Sequence, residues 1–161
     1  MTTPESHYVL CCERELRVEV WNPAASETLV LWHGLTRTGR DFRTPTTHLS
    51  PHYRLLIPDT LGRGHSQWAQ DPMKEYTVPF YMKQAVALLE HFQVERCGWI
   101  GTSMGRIMGM LLGATSLQKH LVGFVVNDIG PELPTGANHR IASYISGPST
   151  FNNFQELKQY F

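Results

Sequence analysis

A serine between two glycines is the group in this sequence best suited to nucleophilic chemistry. Residues 101–105, GTSMG, follow a short apolar run and precede a helical pattern. In that context a G-x-S-x-G sequence places Ser103 on a sharp strand-to-helix turn, where side chains at the two glycine positions would collide with neighbouring backbone. A turn in which Ser103 only caps the helix is the alternative. The context favours Ser103 as a nucleophile.

The same turn predicts where negative charge would be stabilised during nucleophilic attack. The N–H group of Met104 lies at the N-terminus of the predicted helix, whose positive end favours a developing oxyanion. A second backbone donor is expected from the loop after the apolar run Thr28–Trp32, which begins His33-Gly34-Leu35. Because backbone groups are needed there, the Leu35 side chain matters little. His33 could serve as a general base, but a hydrogen bond that shapes the loop is the favoured interpretation.

A third polar loop follows the apolar run at residues 53–57. It extends from Asp59 to Ser66 as DTLGRGHS, and its two glycines mark a tight loop at the carboxyl end of a strand. Asp59 could be a catalytic acid. The favoured interpretation is that its carboxylate orders the loop by accepting hydrogen bonds from backbone N–H groups.

These residues must be positioned by a sheet, because short apolar runs alternate with helical patterns along the chain. This alternation is typical of an α/β domain with a largely parallel sheet. Residues 8–12 and 16–21 are expected to form an antiparallel pair joined by the charged turn Glu13-Arg14-Glu15. Further strands are predicted at residues 28–32, 53–57, 97–101 and 121–126, and helices at residues 78–92 and 103–114.

The composition changes near residue 131. The segments PELPTGANHR and SGPSTFNN are rich in turn residues, and two short helical patterns occur near residues 141–144 and 154–161. We therefore predict a core over residues 1–131 and the start of a helical cap, or lid, over residues 132–161.

Four motifs together resemble the α/β-hydrolase superfamily, in order and in spacing: WHGLTRTGRDF, PDTLGRGHS, WIGTSMG and VVNDIGPELP. The resemblance covers nearly the whole chain and is nearest to the serine esterase, lipase and C–C hydrolase branch, with a cap after the sixth strand. It implies a mostly parallel sheet with helices on both faces, Ser103 as nucleophile, and the N–H groups of Leu35 and Met104 as the oxyanion hole. A serine argues against the epoxide-hydrolase and haloalkane-dehalogenase branches, which need a carboxylate to form an alkyl ester.

The rest of a catalytic triad departs from the family pattern. The family order is serine, acid, histidine, with the acid after the sixth or seventh strand and the histidine after the eighth. No strand is predicted after residues 121–126. Asp128 and His139 satisfy the order formally, although His139 falls in the predicted cap. The favoured expectation is an N-terminal portion of a longer hydrolase, truncated after about the sixth strand, with little or no activity alone.

Arg106 is a second departure, because the family usually has a glycine or another small residue there. A cation in the first turn of a helix opposes the helix dipole by ~0.3–1 kcal/mol. A solvent-facing Arg106 is the favoured interpretation. The alternative places it in a substrate pocket with His33 and Gly34, where it would pair with a substrate carboxylate.

Composition excludes several other classes of protein. The chain has 161 residues, of which 42% are hydrophobic and 17% charged, so a disordered or solvating role is excluded. Fourteen basic residues balance fourteen acidic ones, so there is no basic field to bind nucleic acid or an anionic membrane.

The N-terminus and the cysteines bear on location and cofactors. The first residues lack the basic start and apolar run of a secretory signal, which predicts a cytoplasmic protein with no membrane span. The three cysteines, Cys11, Cys12 and Cys97, do not have the spacing of a zinc site and are expected to be small buried hydrophobes. We predict no metal and no cofactor.

The sequence therefore predicts a serine hydrolase that acts on a small-molecule carboxylic ester, or a related acyl substrate, through an acyl-enzyme. The alternatives are a C–C bond hydrolase of the dienoic ketones that ring cleavage produces and a non-catalytic, hydrolase-like binding module. Leu121, Phe124 and Val126 would lie beside an open sheet edge, which predicts self-association.

Overall fold

The computed structural model describes residues 3–127 and 152–160. The chain divides into two units, Met1–Asp128 and Ile129–Phe161. In the second unit, helix α5 (Phe154–Tyr160) follows Asn153, whose Oδ1 accepts a hydrogen bond of 3.0 Å from the N–H of Glu156. The helical pattern near residues 141–144 lies outside the described residues, and the cap over residues 132–161 stays a prediction.

The described part of the first unit contains six strands, four α-helices and two short 3-10 helices. The strands are β1 (Glu5–Cys11), β2 (Arg14–Trp21), β3 (Thr28–Trp32), β4 (Arg54–Pro58), β5 (Cys97–Thr102) and β6 (Leu121–Asn127). The α-helices are α1 (Arg43–Leu49), α2 (Pro72–Glu75), α3 (Val78–His91) and α4 (Met104–Gly113), and the 3-10 helices are Gly39–Phe42 and Ser116–His120.

All six strands form one sheet in the order β1-β2-β4-β3-β5-β6. β2 pairs antiparallel with β1 and with β4, whereas β3 pairs parallel with β4 and β5, and β5 with β6. The predicted mostly parallel α/β sheet is confirmed. Trp32 is in register with Gly101, so the loops that leave β3 and β5 begin side by side.

Helices cover both faces of the central strands, which explains why β3 is apolar along its length. Trp32 packs in one core with Leu88 of α3 and Met108 of α4. Leu31 points to the opposite face and packs in a second core with Phe42. All five side chains are at most 4% exposed.

The charged turn predicted at Glu13-Arg14-Glu15 is wrong at Arg14 and Glu15, which belong to β2. Cys12 and Glu13 form the turn, with φ of 54° and 61°, and Arg14 already belongs to β2. Its guanidinium is buried because Glu75 of α2 accepts hydrogen bonds of 2.8 Å from Nε and from Nη2. The sequence has no pattern that predicts α2, so the partner of this charge cannot be read from it.

The cysteines are free, and two of the three are buried as predicted. Burial raises the pKa of Cys11 to about 12 and the pKa of Cys97 to about 11. Cys12 in the turn is partly exposed. No helix in the described part of the chain has the length and apolar character needed to cross a bilayer. The cytoplasmic location stays a prediction.

Candidate active site

Ser103 occupies a strained turn between β5 and α4. Its φ of 50° and ψ of −110° lie outside the regions that L-residues ordinarily adopt. Although it stands at the N-cap position, its side chain makes no capping hydrogen bond. The side-chain oxygen of a serine that served only as a cap would accept a hydrogen bond from a backbone N–H in the first turn of the helix. The geometry therefore favours the interpretation in which the hydroxyl is kept for another purpose.

The two glycines of the motif are required by backbone contacts. A Cβ atom at Gly101 would overlap the backbone carbonyl of Gly105. A Cβ atom at Gly105 would overlap the backbone carbonyl of Trp32 in β3. The spacing G-x-S-x-G thus lets α4 begin directly against the strands that carry it.

Two stacked tryptophan side chains in the core hold this turn in place. Trp99 of β5 donates a hydrogen bond of 2.9 Å from Nε1 to the carbonyl of Gly105. Its ring stacks on Trp32 with centroids 5.4 Å apart and planes 11° from parallel. Trp32 in turn donates from Nε1 to Oγ1 of Thr60, at 2.9 Å. These buried contacts connect the turn, β3 and the loop after β4.

The loop after β3 lies directly beside Ser103. A Cβ atom placed on Gly34 would be 3.4 Å from Cβ of Ser103. Within the described residues the N–H of Leu35 donates no hydrogen bond, and Met104, as the first residue of α4, has no intrahelical acceptor for its N–H. The N–H of Ser103 itself donates to the carbonyl of Asn127 at 3.3 Å. Leu35 and Met104 are therefore among the residues near Ser103 whose backbone N–H groups make no hydrogen bond in the described part of the chain, and their role as an oxyanion hole stays a prediction.

His33 is buried under this loop, with both ring nitrogens hydrogen-bonded. The N–H of Thr60 donates to Nε2 at 2.9 Å, so Nε2 carries no proton, and the protonated Nδ1 donates to the carbonyl of Gly34 at 2.7 Å. Burial lowers the pKa of His33, while its bond to the Gly34 carbonyl acts in the opposite direction. This arrangement fits the interpretation in which His33 shapes the loop. Nε2 is the only ring nitrogen that could accept a proton, and it already accepts a hydrogen bond from Thr60.

Asp59 orders the neighbouring loop. It is 2% exposed, and its two carboxylate oxygens accept backbone N–H groups from Gly39, at 2.8 Å, and from His65, at 3.1 Å. Arg17 lies 3.8 Å from the same carboxylate. The geometry matches the favoured interpretation of Asp59, in which the carboxylate orders the loop by accepting backbone N–H groups.

Arg63, which is not among the predicted site residues, contacts the loop of Gly34 and Leu35. Its Nε donates to the carbonyl of Leu35 at 2.9 Å, and its Nη1 donates to the hydroxyl of Tyr81 at 2.7 Å. The signal in the sequence is an arginine between two glycines, Gly62 and Gly64, in a loop at the carboxyl edge of the sheet. That pattern alone does not reveal which backbone group the side chain reaches.

Comparison with known proteins agrees with this geometry. Residues 27–159 match the family described as the alpha/beta hydrolase fold. The chain belongs to the α/β-hydrolase family. A 3-hydroxybutyrate-oligomer hydrolase from Cupriavidus necator is 43% identical over 140 residues, which are 86% of this chain and 47% of that protein.

Solved structures show the same fold. An alpha/beta hydrolase from Novosphingobium aromaticivorans superposes with a TM-score of 0.82 and 35% identity, covering 90% of this chain and 51% of that one. An epoxide hydrolase from Vigna radiata has a TM-score of 0.72 at 20% identity and covers 81% of this chain and 41% of that one, a likeness of fold alone. The chain therefore spans about half the length of the α/β-hydrolases it matches.

Arg106 departs from the solvent-facing orientation expected for it. The side chain is buried, with 3% of the residue exposed, in the first turn of α4. The preceding glycine brings the start of this helix against β3, so the first turn faces the core of the α/β-hydrolase sheet instead of solvent. The interpretation in which Arg106 meets a substrate carboxylate is not tested by this position.

The remaining triad members lie outside the described residues. Asp128 and His139 both fall between residues 128 and 151, so their relation to Ser103 stays a prediction. Within residues 3–127 and 152–160, no histidine is hydrogen-bonded to Ser103. In the same residues, no group of three His, Cys, Asp or Glu side chains could hold a metal ion.

β6 is the last strand of the sheet in the described part of the chain. Four of its apolar side chains are 36–58% exposed: Val122, Phe124, Val125 and Val126. Phe124 and Val126 are thus exposed, as predicted, in a strand that pairs on one side with β5. The prediction is wrong at Leu121, which is partly buried because it packs against the core that contains Trp32. Self-association through this edge stays a prediction.

Proposed function

We propose that the whole protein is a carboxylic ester hydrolase in which Ser103 attacks the acyl carbon. The observation that carries the proposal is the strained Ser103, whose hydroxyl makes no capping bond and lies beside the loop of Gly34. Strained backbone of this kind is retained where the surrounding structure enforces it, and it clusters at active sites.

The reaction would proceed through an acyl-enzyme. Ser103 Oγ bonds to the carbonyl carbon as its proton passes to a general base, and the tetrahedral oxyanion accepts hydrogen bonds from the N–H groups of Leu35 and Met104. The C–O bond to the alcohol then breaks, the alcohol leaves with a proton, and water releases the acid by the same steps. In the α/β-hydrolase fold the general base is a histidine.

The relative in Cupriavidus necator supports the substrate class that we propose. That protein is named for hydrolysis of 3-hydroxybutyrate oligomers, and it shares 43% identity with this chain. We therefore propose a small ester as substrate, with oligomers of a short hydroxy acid as the first compounds to assay. No cofactor is needed for this chemistry.

The general base can be sought with two variants. Asp128→Asn and His139→Ala would each abolish turnover if these residues complete the triad with Ser103. If both variants keep the activity of the unchanged protein, the acid and the base are other residues. A serine hydrolase without its base retains only ~10³–10⁴-fold acceleration over water, so we expect the 161-residue chain alone to be nearly inactive if its base lies beyond residue 161.

A substrate panel tests the proposal in the whole protein. We expect turnover of p-nitrophenyl acetate and of 3-hydroxybutyrate dimers, with an initial burst of p-nitrophenol, and no turnover by Ser103→Ala. Cleavage of a dienoic ketone in preference to both esters would replace the proposal with a C–C hydrolase. Binding of these compounds without any turnover or burst would replace it with a binding module.

A further inference from the structure

Arg63 is held in one geometry by neighbours on three sides. Its Nε donates to the carbonyl of Leu35 at 2.9 Å, and its Nη1 donates at 2.7 Å both to the carbonyl of Leu61 and to the hydroxyl of Tyr81. The guanidinium carbon also lies 5.2 Å from the ring centre of Tyr76 and 5.4 Å from that of Tyr81. An arginine with this many fixed contacts has already lost the rotamer freedom that a surface arginine keeps.

The charge of Arg63 is not neutralised by a carboxylate in the described part of the chain. The ion pairs there involve other basic residues, and Arg63 takes part in none of them. Its positive charge is close enough to His33 to contribute to lowering the pKa of that ring. The loop beside Ser103 therefore contains an oriented cation whose contacts are backbone carbonyls, a hydroxyl and aromatic rings.

Two consecutive carbonyls of this loop accept hydrogen bonds from different partners. The carbonyl of Gly34 accepts from Nδ1 of His33, at 2.7 Å, and from the N–H of Arg37, at 3.1 Å. The carbonyl of Leu35 accepts from Arg63. Because peptide groups are planar, these bonds fix both peptide planes that flank the Cα atom of Leu35. The Leu35 N–H belongs to the first of these planes, which the bonds to the Gly34 carbonyl hold, and the bond from Arg63 holds the second plane, on the other side of the same Cα atom.

We propose that Arg63 is a positioning residue for the oxyanion site, which it supports by holding the Leu35 carbonyl and by adding positive charge beside the loop. The inference rests on the proposed function, in which the N–H of Leu35 stabilises the oxyanion. Preorganised donors and charges act where negative charge develops in the transition state, so they raise kcat without tightening the binding of substrate.

Kinetics of Arg63→Gln in the whole protein test this role. We expect kcat to fall roughly ten- to a hundredfold with KM unchanged, less than the ~10²–10³-fold loss expected when an oxyanion donor itself is removed. Affinity for a trifluoromethyl ketone, which mimics the tetrahedral intermediate, should fall in parallel with kcat/KM. Arg40→Gln is the matched control, because Arg40 is exposed and its side chain makes no hydrogen bond in the described residues.

Two further variants separate charge from geometry. Arg63→Lys keeps the charge but loses the planar fork, so it should recover only part of the lost kcat. Tyr81→Phe keeps the buried ring and removes the hydroxyl that anchors Nη1, so it should lower kcat in the same direction by a smaller factor. Equal kcat for Arg63→Gln and the unchanged protein would overturn the proposal. An effect on KM alone, confined to anionic esters, would also overturn it and assign Arg63 to substrate binding.

A measurement without substrate distinguishes failure of this inference from failure of the proposed function. ¹⁵N relaxation of the whole protein reports the order of the Leu35 N–H directly. We expect Arg63→Gln to lower the order parameter of Leu35, while Arg40→Gln leaves it unchanged. If the order parameter of Leu35 falls in Arg63→Gln but the unchanged protein has no esterase activity, the proposed function is contradicted and the positioning role is not. Unchanged order in Arg63→Gln would contradict the positioning role whatever the activity.

Discussion

Gly105 in the first turn of α4 lies directly against the backbone carbonyl of Trp32 in β3. A Cβ atom at Gly105 would overlap that carbonyl, and the carbonyl of Gly105 also accepts the indole N–H of Trp99. The position of α4, and with it the orientation of Ser103, therefore depends on the absence of one methyl group.

Gly105→Ala should lower the free energy of unfolding by about 1–3 kcal/mol, because overpacking against backbone forces the helix and strand apart. Gly113→Ala in the same helix is the matched control, since its Cβ would meet only Leu121 Cδ1 at 3.7 Å. Urea unfolding followed by tryptophan fluorescence measures both. Equal stability of the two variants would mean that the close contact is not maintained in solution.

Ser103→Gly should stabilise the chain by about 1 kcal/mol, because glycine adopts a positive φ without the Cβ penalty. Ser103→Ala is the control, since it removes the same hydroxyl but keeps Cβ and hence the strain at φ 50°. The comparison is made by urea unfolding. If Ser103→Gly is no more stable than Ser103→Ala, the turn is not strained.

His33 should make the stability of the fold depend on pH. Burial lowers its pKa in the folded chain below the ordinary value of 6.5, so the unfolded chain binds the proton more readily. The free energy of unfolding should therefore be constant above about pH 6.5 and fall as the pH decreases below it, by up to ~1.4 kcal/mol per pH unit for one proton.

The comparison of two variants assigns this pH dependence. Urea midpoints between pH 5 and 7.5 should lose their slope in His33→Gln and keep it in His48→Gln, a change at an exposed histidine of α1. A slope that persists in His33→Gln would show that another group binds the proton.

Thiol reactivity should separate the three cysteines. Burial raises the pKa of Cys11 and Cys97 to about 12 and 11, and both are closed to solvent, so a disulfide reagent should modify them only on unfolding. Cys12 is partly exposed and should react first. Cys12→Ser should remove the fast phase, and two fast thiols in this variant would contradict the burial of the others.

Much of the fold can be predicted from the sequence because its signals are local. β3 is a continuous apolar run of five residues, and α3 has an apolar face at helical spacing, so both were located within one residue. α1 was missed because its sequence, RTPTTHL, has no apolar face, and its one buried residue is Thr46. α2 is too short, at four residues, to have a helical period.

The candidate site likewise contains a part that local sequence predicts and a part that depends on tertiary contacts. Ser103 and its glycines are five adjacent residues, so their chemistry can be read locally. The bonds from Arg63 to Leu35 and from Thr60 to His33 join residues 28 and 27 positions apart. They form only because parallel strands bring two loops to one edge of the sheet. Arg106 was placed wrongly for a related reason, since its burial depends on tertiary packing of α4.

The most direct test of the account maps the adduct of a fluorophosphonate on the whole protein by mass spectrometry. We expect one modification, on Ser103, and none in Ser103→Ala, while Ser116→Ala, a serine outside the site, is modified like the unchanged protein. The account is contradicted if the adduct lies on another residue, if Ser103→Ala is modified at the same rate, or if the unchanged protein is not modified at all.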